Sequence, residues 1–159
     1  MGAAQLSRDC AESNRNTIER NFRENGIYIY VSRGEREWSG IRAGLPVIVA
    51  GAGPSLDSAI PSLRGTGIPI VACDRAAKPL IAGGVIPFAI ISCEIRRAGA
   101  QKLDGVPGLS GIPLVFDPIC TPDTPHRYPG PLYTYDRPGL QNMGKGEIRR
   151  GTGVIIYAI

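Results

Sequence analysis

The stretch Val47-Ile48-Val49-Ala50-Gly51-Ala52-Gly53-Pro54-Ser55-Leu56-Asp57 constrains this chain more than any other. A β-branched apolar run ends abruptly in two glycines spaced one apart and then Pro-Ser-Leu-Asp. That is the pattern of a buried parallel strand handing over to a helix. Such a turn leaves backbone N–H groups free to meet a phosphate at the helix N-terminus. Gly51 and Gly53 let the backbone approach a ligand with no Cβ in the way. Ser55 and Asp57 are placed to cap the first turn of the helix. Gly51, Ala52, Gly53, Pro54, Ser55 and Asp57 are therefore candidate ligand-binding residues.

The pattern departs from the dinucleotide fingerprint at its third glycine, where this chain has Leu56. A branched side chain there pushes the helix away from the strand, which argues against an FAD or NAD site. An acidic residue does follow at Asp74, 23 residues beyond Gly51, near the offset of a ribose-binding carboxylate.

At 159 residues the chain is the size of one domain and can bury a core. With 43% hydrophobic and 20% charged residues it reads as globular rather than disordered. No apolar run approaches the roughly 18 residues of a membrane span, and the N-terminus lacks the basic and apolar regions of a signal peptide. The net charge of +4 is a mild basic excess. Arg96-Arg97 and Arg149-Arg150 are adjacent pairs, but aromatic residues, 6% of the chain, do not interleave with them. A nucleic-acid platform is not expected. The cysteines at 10, 73, 93 and 120 never fall in C-x-x-C spacing, so zinc is unsupported and a reducing, cytoplasmic compartment is expected.

Residues 1–44 read as a helical accessory segment. Ile18 and Phe22 share one face of a polar helix over 8–25, a short β-like run spans Ile27–Val31, and Trp38 offers a further packing anchor. From residue 45 to 159 the organisation becomes that of an α/β domain. Strands are expected at 46–50, 68–73, 88–93 and 112–116, with helices at 56–63, 76–82 and 97–103 between them. Short unalternated apolar runs separated by helical segments signify a parallel sheet covered by helices on both faces. Right-handed crossovers bring every carboxyl end to one edge, where ligands bind.

That edge selects Asp74, Glu94 and Asp117 beside the glycine turn. Asp74 and Glu94 are candidate catalytic residues and candidate ligands of Mg²⁺, a hard cation held by a few carboxylates together with substrate phosphates. Asp117 can equally cap its own loop. Residues 118–140, with Pro118, Pro122, Pro125, Pro129, Pro131 and Pro138, read as a long loop. His126 is the sole histidine, which removes any multi-histidine metal site. Ser55 lies outside a G-x-S-x-G elbow, which disfavours a Ser55–His126–Asp74 triad. Near the end, Gly151-Thr152-Gly153 precedes an apolar run and forms a second candidate anion-binding turn. The apolar finish at Ile159 leads us to expect a domain truncated at its C-terminus.

The glycine turn ending in Ser55-Leu56-Asp57, the run Ile70-Val71-Ala72-Cys73-Asp74-Arg75-Ala76, and the stretch from Leu80 through Pro87 to Glu94 together resemble the Rossmann-like domain of the 6-hydroxymethylpterin diphosphokinase MptE-like family. The resemblance covers residues 45–95 and, less closely, 145–159. It implies a transferase, either an Mg²⁺-dependent diphosphokinase using ATP or a glycosyltransferase of the motility accessory factor type using a CMP-sugar. A non-catalytic binding domain is a third option. Ser92-Cys93-Glu94 stands where the kinase branch carries a Thr-Asp-x-Asp-like run. A nucleotide or phosphorylated small molecule is the implied partner.

Overall fold

The computed structural model describes residues 14–31, 33, 34 and 44–135. Gly151, Thr152 and Gly153, together with Cys10, Trp38, Arg149 and Arg150, lie outside the described residues. Among the described residues two helices come first, α1 (Arg15–Glu24) and α2 (Gly26–Val31), followed by a two-residue strand β1 (Arg33–Gly34). The repeating part is β2 (Ile48–Ala50), α3 (Leu56–Leu63), β3 (Ile70–Cys73), α4 (Asp74–Ala82), β4 (Ala89–Ser92), a 3₁₀ segment over Arg97–Leu103, β5 (Leu114–Phe116), α5 (Asp123–Arg127) and β6 (Leu132–Thr134).

All strand pairs are parallel, in the order β1-β6-β5-β4-β3-β2. The four expected strands are therefore present and adjacent, each beginning one or two residues later than the apolar run alone implies. Proline sets those starts. Pro46, Pro69, Pro87, Pro113 and Pro131 each lie one or two residues before a strand. Proline has no N–H to give the ladder, yet its carbonyl still accepts. Ile48 N–H donates to Pro69 O, Ile90 N–H to Pro113 O and Leu114 N–H to Pro131 O, at 2.9 Å in each case.

From β2 to β6 the strands step in one direction. Right-handed crossovers that step one way all land on one face. The buried strand members of the two core clusters, Ala50, Ile70, Ala72, Ile90, Leu114 and Phe116, share that face by register. Leu56, Ile60, Ala76, Ala77 and Leu80 from α3 and α4 pack onto it. Helices α3 and α4 thus pack on one face of the sheet, while Val71, Ala89 and Ile91, which point to the other face by register, are buried as well.

Three local expectations are corrected. Ile27–Val31 is helical, not extended. Asn25 N–H donates to Asn21 O and Ile29 N–H to Asn25 O, carrying helical bonding across the α1–α2 junction. Tyr28 and Ile29 then pack against the core while Ile27 and Tyr30 face solvent. Tertiary contact outweighs the β propensity of the alternation here. Residues 97–103 form a 3₁₀ segment rather than an α-helix, consistent with the low α propensity of Gly99. The proline-rich stretch is not structureless, since Pro122, at φ −59°, starts α5, and Pro131 opens β6.

Candidate functional site

At the end of β2 the chain turns through Gly51–Ser55 into α3. Leu56 N–H donates to Gly53 O at 3.0 Å, closing the turn. Ser55 occupies the N-cap position, but its side chain makes no capping bond; Ser58 Oγ donates to Ser55 O at 2.9 Å instead. Capping by the Ser55 side chain is thereby corrected: its helical backbone, φ −75° and ψ −10°, departs from the extended geometry usual at that position. Asp57 lies in the first helical turn, where its charge complements the helix dipole. Leu56 is buried with Ile60 and Leu80, so the large residue at the third-glycine position is part of the core.

Gly51 and Gly53 are exposed, neither has positive φ, and a Cβ built on either meets no atom within 4 Å. Among the described residues, neither backbone conformation nor packing calls for glycine there. Gly130 is the opposite case, since a Cβ there falls 2.5 Å from Leu109 O and 2.7 Å from Ile112 O. Glycine at 51 and 53 keeps space open above the turn.

One strand over, β3 ends at Cys73 and α4 opens with Asp74. The Asp74 carboxylate is tied down on both oxygens. Oδ1 accepts Arg75 N–H at 2.7 Å, Oδ2 accepts Ser92 Oγ–H at 3.0 Å, and Lys102 Nζ stands 3.5 Å from Oδ2. Glu94, beyond the end of β4, accepts Arg96 N–H on Oε1 at 3.1 Å and Lys102 Nζ on Oε2 at 3.0 Å. Asp74 and Glu94, expected on one rim, are thus brought together through a shared lysine. Burial pushes the Glu94 carboxyl up, but the bonds from Lys102 and Arg96 and the charges of Lys102 and Arg75 outweigh it, leaving its pKa below the ordinary 4.5. Burial, then Asp117, Asp74 and Glu94, push the neighbouring Cys93 thiol above its ordinary value.

Asp117 is fully buried and serves its own loop, with Oδ1 accepting Ile119 N–H at 3.1 Å and Oδ2 accepting Tyr135 OH at 2.9 Å. The expected magnesium ligands therefore offer no bare carboxylate pair, since all four oxygens of Asp74 and Glu94 already face protein donors. Among the described residues, no three His, Cys, Asp or Glu side chains group to hold a metal. Ser92 and Lys102 escaped sequence reasoning. Lys102 lies eight residues past Glu94, on the segment expected as a helix, and only the fold joins them.

A parallel sheet stepping one way, with a glycine turn and a charged rim at its carboxyl edge, defines a Rossmann-like α/β domain. The chain belongs to the 6-hydroxymethylpterin diphosphokinase MptE-like family, whose model matches residues 20–156. No curated protein matches the chain. Among solved structures, the MAf glycosyltransferase from Magnetospirillum magneticum AMB-1 is similar, with a TM-score of 0.49 and 26% identity. The alignment covers 58% of this chain and 15% of that one. No helix among the described residues is long and apolar enough to cross a membrane.

Proposed function

We propose that this chain is a transferase domain that binds a nucleotide or other phosphorylated ligand, with a phosphate seated at the Gly51–Ser55 turn. The observation that carries it is the open space over Gly51 and Gly53, which neither backbone conformation nor packing among the described residues accounts for. The N-terminus of α3 adds a partial positive charge and unpaired N–H groups, and Arg75 and Arg96 are exposed on the same carboxyl edge. Membership of a family named for a diphosphokinase supports group transfer, with ATP or a CMP-sugar as the nucleotide donor.

In that function Glu94 accepts a hydrogen bond from the acceptor hydroxyl and orients it. Its lowered pKa makes it a poor proton acceptor, so its contribution is positioning and charge. Asp74, more deeply buried, holds Lys102 and the start of α4 in place.

Titration calorimetry of the domain with ATP, CMP and inorganic pyrophosphate tests the proposal. Gly53→Val should abolish binding while leaving the fold intact, because a Cβ there meets no described atom within 4 Å and the added side chain occupies the ligand's approach. Undiminished binding by the variant would make the turn purely structural.

A further inference from the structure

We propose that Lys102 is the fixed cation of this rim. Its ammonium takes the place between Asp74 and Glu94 that a divalent ion would need, and supplies the counter-charge for a phosphate at the Gly51–Ser55 turn. The second half rests on the phosphate site proposed above.

Three observations carry it. Lys102 Nζ lies 3.0 Å from Glu94 Oε2 and 3.5 Å from Asp74 Oδ2, and its side chain is only 14% exposed. Every carboxylate oxygen of the pair already faces a donor from the protein. Magnesium demands near-octahedral oxygen ligation at about 2.0–2.1 Å, so it would have to displace the ammonium and strip those bonds. Finally, an ammonium has three N–H donors, and two carboxylates leave one to turn toward a ligand. The pairing of Ala50 with Ala72 puts the glycine turn at the end of the strand beside β3, whose last residue, Cys73, precedes Asp74. Adjacent strands lie only about 4.8 Å apart. Arg75 and Arg96 are exposed to solvent, whereas the Lys102 ammonium is fixed and largely buried between the two carboxylates, where a charge is screened less and weighs more on a nearby phosphate.

Manganese binding followed by electron paramagnetic resonance, with no nucleotide present, tests the first half. Lys102→Met should bind Mn²⁺ about tenfold more tightly than the parent, and Asp74→Asn added to it should reverse the gain. Equal Mn²⁺ affinity in parent and variant overturns the proposal. Pyrophosphate binding in EDTA tests the second half. The parent should bind, Lys102→Arg should retain binding, and Lys102→Met should weaken it about tenfold. No binding by the parent without a divalent ion, or full binding by Lys102→Met, overturns it. Should the single variant unfold, the double variant Glu94→Gln/Lys102→Met removes the surplus charge and is read in the pyrophosphate assay, where the same weakening is expected and full binding overturns the second half. Loss of pyrophosphate binding in Lys102→Met but not in Gly53→Val would retire the turn and with it the second half as stated, while the Mn²⁺ result would still decide the first.

Discussion

Asn21 and Asn25 lie one helical turn apart, both fully buried, and each donates its Nδ2 to two backbone carbonyls. Asn21 reaches Ile95 O and Ile119 O; Asn25 reaches Pro118 O and Cys120 O. The four acceptors belong to the loops after β4 and β5, which carry Glu94 and Asp117. The N-terminal helices therefore fasten the rim. Asn21→Ala or Asn25→Ala leaves buried carbonyls without donors, and each should lower stability by about 1–3 kcal/mol in urea unfolding. The two losses should not add, because both act on the 118–120 loop.

Gly130 and Gly53 should respond oppositely to alanine. At Gly130 the new methyl meets backbone oxygens that no rotamer change can move, and the cost should be about 1–3 kcal/mol or more. Gly53→Ala should leave stability unchanged within about 0.5 kcal/mol, or raise it slightly by restricting the unfolded chain. Paired urea curves check both.

Acid should weaken the Glu94 contribution. Its pKa is lowered on folding, so it stabilises the fold above the ordinary 4.5 and loses that contribution as the pH falls through the lowered folded value. Glu94→Gln should therefore be less stable than the parent near neutrality, and the difference should close on acidification. Urea midpoints measured at pH values on both sides of the carboxylate range decide this.

Cys93 is exposed, yet its thiol resists ionisation because of burial around its sulfur and the nearby acidic groups. Since the thiolate is the nucleophile, iodoacetamide at mildly alkaline pH should label Cys93 more slowly than a free thiol. Labelling should accelerate in denaturant. Peptide-resolved mass spectrometry measures both rates.

Tyr128 OH donates to Ile112 O at 2.7 Å, and burial pushes its pKa to about 12. Tyr128→Phe orphans that carbonyl and should cost about 1–3 kcal/mol, read by chemical denaturation.

The central strands were legible because each is an uninterrupted apolar run, and the prolines before them were visible as well. The step from Gly51 to Leu56 announced the turn for the same reason, since local chemistry and local structure coincide there. What escaped was decided by distant contacts. Asn21 and Asn25 look like solvated residues on a polar helix until the loops they bind are in place. The 27–31 alternation fits a strand equally well until Tyr28 and Ile29 meet the core. The strand β6 hid among prolines that turned out to be its boundary. Asp74 and Glu94 could be placed on one rim from strand ends alone, but the lysine that joins them could not.

The step-by-step strand order also bears on how the molecule assembles. From β2 onward, partners in space are successive in sequence, so each unit can add to the last over a short closing loop. The bonds of Asn21 and Asn25 span 74, 98, 93 and 95 residues. Loop-closure entropy makes such contacts late ones. The sheet should therefore form first and the rim be fixed last, so that amides of the Glu94 and Asp117 loops exchange with solvent through openings that leave β3 and β4 intact.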